Sequence, residues 1–279
     1  MPTSTRRWPP RRACLDERPG ATTLRAAKLN LVLCYHALSE DWPAALSTTP
    51  ALLHWHLQRL LGRGFHPRGF TDTVLASDGQ RTMAVTFDDA FRSVRTLGLP
   101  ILQQLGVPGT VFVPTDHVGG TPMRWPGIAD WTGGAHEREL VGCTWDELAE
   151  LADAGWEIGS HTRSHRRLTT LSEHEVHAEL VDSKAECEDR LGRPCRSLAY
   201  PYGDYDARIV RATRRAGYSA AGTLPGRFEA VDVMQYPRVF VGRADKRLRF
   251  AVKTAGPTLR ARRSALWRPT LVQRRRGPR

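Results

Sequence analysis

The sequence predicts an α/β domain in which parallel strands, each followed by a helix, close into a barrel or lie in an open sheet. Short runs of strand composition recur at residues 29–35, 83–87, 110–113, 156–160 and 197–200. Longer segments with helical periodicity separate them, and that alternation is the signature of crossover connections between parallel strands. Adjacent carboxylates and paired histidines stand just past the strand ends, where such folds gather their functional groups.

The 279 residues are 41% apolar, enough to bury one large core, so residues 29–256 are expected to form a single domain. No run of eighteen apolar residues exists, and no transmembrane segment is expected. Residues 1–28 lack the apolar stretch of a secretory signal, and the five cysteines show no CxxC spacing. Both features point to a cytoplasmic protein with reduced thiols. The net charge of +12 is concentrated at the ends: residues 1–28 contribute +5 and residues 257–279 contribute +8, leaving −1 for the domain. These tails read as disordered, solvated ends, and no specific nucleic-acid partner is expected.

In chain order, residues 29–35 form a buried strand with His36 at its end. Thr49-Pro50 is an N-cap followed by proline at the first helical position, and Leu52, Leu53, Leu57, Leu60 and Leu61 line one face up to Gly64. His54 and His56 in this helix are assigned no chemistry. A short helix fits residues 70–76. The strand at 83–87 runs into Asp88-Asp89, two like charges that need a cation or a shared proton if buried. A helix is expected over residues 91–105 despite Pro100, then a strand at 110–113.

Residues 114–141 form a long Gly/Pro/Trp-rich segment from which Trp125 or Trp131 could stack on a sugar face; packing down to anchor the loop is the equal alternative. Thr144…Glu147 and Ser172…Glu175 are capping boxes opening two helices. Between these helices, the strand at 156–160 leads into His161-Thr162-Arg163-Ser164-His165. Two histidines four apart, with one of the two aspartates, make three ligands for a divalent cation, zinc above all, with a fourth position open. A strand closed by Pro201-Tyr202-Gly203 follows, then a helix capped by Asp204 and ending at Gly217, and strand-like pieces at 218–223 and 238–241.

Thr86-Phe87-Asp88-Asp89, His161-Thr162-Arg163-Ser164-His165 and Ala199-Tyr200-Pro201-Tyr202-Gly203, in this order, resemble the three motifs of the polysaccharide deacetylases of carbohydrate esterase family 4, the NodB-homology domain. The resemblance extends from about Leu31 to about Lys253. It implies a distorted, TIM-like (β/α) barrel of about seven strands and a metal-dependent hydrolase that removes N-acetyl groups from an amino sugar or polysaccharide. In that scheme Asp88 is the general base, and Asp89, His161 and His165 hold the metal. The Tyr202 backbone amide, presented by the Pro201 turn, faces the oxyanion. His36, in a Tyr-His element like that of poly-N-acetylglucosamine deacetylases, is the candidate general acid.

Three departures stand out. Ala90 replaces the usual glycine after the aspartates, so a positive φ there would be strained. Ala199 occupies the place of an arginine that orients the base, leaving Asp88 without that partner. Residues 238–256 contain no histidine, which removes the usual acid and leaves the role to His36. A small glycosylated metabolite, a lipid-linked sugar, or sugar binding without catalysis are the alternatives for function.

Overall fold

A computed structural model describes residues 30–224 and 232–261. In chain order the strands are β1 (Leu31–Tyr35), β2 (Ala37–Leu38), β3 (Ser47–Thr48), β4 (His66–Pro67), β5 (Thr82–Phe87), β6 (Gly109–Val113), β7 (Glu157–Ser160), β8 (Ser197–Ala199), β9 (Ala220–Thr223), β10 (Tyr236–Pro237) and β11 (Val239–Phe240). The α-helices are α1 (Pro50–Leu61), α2 (Phe70–Leu75), α3 (Leu99–Gln104), α4 (Trp145–Asp153), α5 (Glu173–Leu191), α6 (Ala207–Arg215), α7 (Arg247–Lys253) and α8 (Gly256–Ala261).

All pairings in the main sheet are parallel, in the order β10-β9-β8-β7-β6-β5-β1-β11. The two edges of that order are consecutive in the chain: one residue, Arg238, separates β10 on one side from β11 on the other. Arg238 N–H donates to Thr223 O at 3.0 Å, and Val241 N–H donates to Cys34 O at 2.8 Å, so the segment is laced to β9 and to β1 and closes a distorted barrel. The expected strand at 238–241 is therefore a seam interrupted at its charged residue.

Alternation places Val32, Ala84, Phe112, Ala199, Ala220 and Tyr236 in one inner cluster with Phe70 and Val74 of α2. The larger core fills the layer between strands and helices. Thr49 caps α1 by accepting from Leu52 N–H, and both capping boxes form at α4 and α5. Gly192 ends α5 at φ 62°, a left-handed turn that glycine takes without strain.

Several expectations change. The helix over 91–105 is broken: a π-helical turn at Val94–Gly98 precedes α3, and Pro100 sits in the first turn of α3, where its missing N–H is tolerated. Asp206, not Asp204, caps α6, accepting from Ile209 N–H; Asp204 instead accepts from Thr169 Oγ1. The fold continues past residue 256, since α8 buries Leu259. The remainder of both basic tails, with Cys14, lies outside the described residues. Cys34, Cys143, Cys187 and Cys195 are buried free thiols.

Candidate active site

Strand ends β1, β5, β7 and β8 converge on one rim of the barrel, and the backbone there is locally strained. Among the described residues the non-glycine positions with positive φ are Asp89 (70°), Ala90 (51°), Thr162 (67°), His165 (56°) and Tyr202 (59°), all within the three sequence motifs or, for Ala90, directly after one. Each such residue costs roughly 1–2 kcal/mol, and strain of this kind clusters where side chains must be aimed. The alanine in place of glycine at position 90 does occupy the left-handed region.

Asp89, His161 and His165 meet. Asp89 Oδ1 lies 3.4 Å from His161 Nε2 and 3.3 Å from His165 Nε2, all three side chains are buried, and Asp89 Oδ1 makes no hydrogen bond. An orphaned carboxylate oxygen facing two imidazole nitrogens is what a metal set requires. Two ligands at about 2.0–2.1 Å from one tetrahedral ion stand about 3.3 Å apart. His161 Nδ1 lies 2.7 Å from Ala199 O, which as an acceptor fixes the tautomer and leaves the Nε2 lone pair toward Asp89. The residues fit a divalent cation with N/O preference.

The 161–165 loop is held from α5. Glu179, buried at 5%, accepts from the Arg163 and Ser164 amides at 2.9 Å each and from Ser164 Oγ. The His165 ring is boxed by Trp125 at 4.3 Å, Tyr202 at 4.7 Å and His161 at 4.8 Å between centroids. Trp125 is only 8% exposed and also packs on His117, so it anchors the loop and braces His165 instead of projecting as a sugar platform. Trp131 packs edge-on against Trp42 and His136.

Asp88 is not left without a cationic partner, as Ala199 had suggested. Arg238 reaches it from the barrel seam in a bidentate pair, Nη1 to Oδ1 at 2.6 Å and Nη2 to Oδ2 at 2.8 Å, with a further bond to Thr86 Oγ1 at 3.1 Å. Gly222, the β9 neighbour of Ala199, leaves the space it fills: a Cβ there would stand 2.7 Å from Arg238 Nε. The guanidinium also lies 5.2 Å over the Phe112 ring. Burial pushes the Asp88 carboxyl up, but Arg238, with His161 and His36, outweighs this and holds it at about 2. For Asp89 too, burial is outweighed by His165 and His161, leaving the pKa well below the carboxylate range.

His36 joins the same rim. One donor atom each from Cys34, His36 and Asp88 lie within 4.8 Å of one another, and Cys34 Sγ donates to Asp88 Oδ2 at 3.4 Å. His36 Nδ1 is buried without a hydrogen-bond partner, and its ring stands edge-on to Phe240 at 5.6 Å. Tyr202 lies in the 3-10 turn Pro201–Gly203 beside His165, and Pro201 is buried. Sequence reasoning missed Arg238, Cys34 and Glu179. The signal for Arg238 was a lone charge inside a strand-forming run, which demands a partner when buried.

The family model for polysaccharide deacetylase matches residues 76–221, just over half the chain. Two curated relatives are a Bacillus subtilis protein provisionally named a polysaccharide deacetylase, 24% identical over 72% of this chain and 66% of that protein, and a poly-β-1,6-N-acetyl-D-glucosamine N-deacetylase of Staphylococcus epidermidis, 23% identical over 58% and 55%. The chain thus spans between half and two thirds of their length. A Streptococcus pyogenes deacetylase solved with acetate has the same fold, with TM-score 0.67 and 18% identity over 81% of this chain and 98% of that one.

Proposed function

The chain belongs to the polysaccharide deacetylase family, and we propose from that premise that it hydrolyses the N-acetyl group of an N-acetylated amino sugar, in a polymer of the poly-N-acetylglucosamine kind. One observation carries the reading: the buried, unbonded Asp89 Oδ1 faces His161 and His165 beside an ion-paired carboxylate that has no place among those ligands.

Asp89, His161 and His165 would hold a divalent cation, zinc being favoured by the donor set, which when bound would supply Lewis acidity for the carbonyl and for water. Asp88, kept ionised and fixed in plane by Arg238, takes the proton of the attacking water. The Tyr202 backbone amide donates to the developing oxyanion. His36 protonates the leaving amine, which is too basic to depart as an anion.

Release of acetate from β-1,6- and β-1,4-linked N-acetylglucosamine oligomers, abolished by a chelator and restored by zinc, tests this. Acetate from nucleotide- or lipid-linked N-acetylglucosamine alone shifts the substrate to a small acetylated sugar. Oligomer binding by metal-loaded protein without acetate from any of these refutes the catalytic reading.

A further inference from the structure

We propose that the outer flank formed by α1 and α7 docks on an anionic membrane surface. Four guanidinium groups are shelved there on two aromatic rings. Arg59 and Arg247 lie over Trp55, 5.5 and 5.6 Å from its centroid, and Arg63 and Arg81 over Phe65, at 5.8 and 4.5 Å. Arg63 Nη1 also donates to Thr254 O at 3.2 Å, just past the end of α7, which joins the two shelves into one surface.

No acidic residue occurs in α1 or α7, and among the described residues none of these four arginines has a carboxylate partner. Nearby Arg249 and Lys253, by contrast, share the Asp245 carboxylate at 3.1 and 2.7 Å. Arg63 and Arg81 each commit one Nη to a backbone carbonyl, Thr254 O and Arg63 O, and the other N–H groups of a guanidinium stacked on a ring remain for phosphate.

The apolar side chains select the partner. Leu248 and Val252, four apart on α7, are 79% and 56% exposed beside the cations. Outward-facing aliphatic groups flanked by arginine gain from insertion at a headgroup boundary, whereas a nucleic-acid backbone offers them nothing. No described helix is long and apolar enough to cross a membrane, and attachment is therefore to its surface.

The test is flotation of the full chain with vesicles of phosphatidylcholine alone and of phosphatidylcholine with about 30% phosphatidylglycerol. Binding is expected to the mixed vesicles only, and to be lost in about 1 M salt, where the screening length falls to about 3 Å. Arg59→Gln and Arg247→Gln should each weaken it about fivefold, and Leu248→Glu with Val252→Glu at least tenfold, with melting temperature unchanged because all four positions are at the surface. Flotation of the Leu248→Glu/Val252→Glu protein at wild-type level, equal binding to neutral vesicles, or no flotation overturns the proposal. So does complete displacement from vesicles by a stoichiometric duplex oligonucleotide, which would assign the flank to nucleic acid.

Discussion

Replacing Arg238 with methionine removes the guanidinium while keeping most of the volume, and the structure sets the size of the effect. Two charge-assisted hydrogen bonds of 2.6 and 2.8 Å disappear, and Asp88, 2% exposed, keeps only the weak Cys34 thiol donor at 3.4 Å besides its facing histidines. Stranding one partner of a buried pair costs about 3–5 kcal/mol, which in a domain of this size lowers the melting temperature by about 10 °C. The freed carboxylate can rotate, and a displacement near 1 Å of a reacting group costs about 100-fold in turnover. The metal ligands are untouched, so bound zinc should stay near one per chain. Turnover, calorimetry and elemental analysis on one preparation separate these outcomes. Turnover within threefold of wild type would refute the idea that Arg238 positions the base. A relocation provides the converse: Ala199→Arg with Arg238→Ala puts the guanidinium where relatives carry it, and should recover at least tenfold over Arg238→Ala alone.

Gly222→Ala should act through the same arginine, since the new Cβ meets Arg238 Nε at 2.7 Å and Cδ at 2.8 Å. About 1–3 kcal/mol of stability should be lost, and the loss should largely vanish in the Arg238→Ala background, where no atom remains at the Cδ or Nε position, as a double-mutant melting cycle would show. Asp88→Asn should abolish acetate release with metal content retained, whereas His165→Ala should lower both; equal metal loss in the two variants would overturn the division of roles. His56, buried between the Tyr35 hydroxyl and the Asp245 carbonyl, has its pKa pushed down by burial, against the pull of Asp245, to about 4. Its contribution is present above the unfolded value of about 6.5 and fades as pH falls through the window to 4, by about 3 kcal/mol. The stability gap between wild type and His56→Phe should therefore narrow from pH 7 to pH 4 in urea titrations, and a constant gap would remove His56 from the acid response.

The fold and the meeting of Asp89, His161 and His165 were legible because local chemistry announced them. Thr49-Pro50 and the two capping boxes place helix starts within a residue, and apolar runs that end in Asp88-Asp89 or His161 mark strand ends by the abrupt change in polarity. Asp204 and Asp206 are the same residue type two apart, and which of them caps α6 rests on which side chain reaches the Ile209 amide, something spacing does not encode. Trp125 stands in a polar stretch of the sequence, and what decides between stacking on a sugar and anchoring the loop is His165, distant along the chain, together with His117 of the same loop.

Arg238 is the instructive case. A motif reading assigns the partner of Asp88 to a fixed place on β8 and, finding Ala199 there, reports a loss. In space the requirement is only for a guanidinium at the top of the barrel interior, and β8, β9 and the seam all border that volume. A glycine at 222, paired in register with Ala199, opens the room that an arginine entering from the seam then fills. The two small residues on β8 and β9 and the one large charged residue at the seam act as a single arrangement. Its parts look like a defect, a flexible position and an oddly charged strand until the barrel closes. The closure itself depends on that residue, because Arg238 is the point at which the chain passes from pairing with β9 to pairing with β1. The element that completes the sheet and the element that holds the candidate base are one side chain and its own backbone, so loss of the seam's register would disorder the Asp88 pair before it disturbed the ligands on β5 and β7.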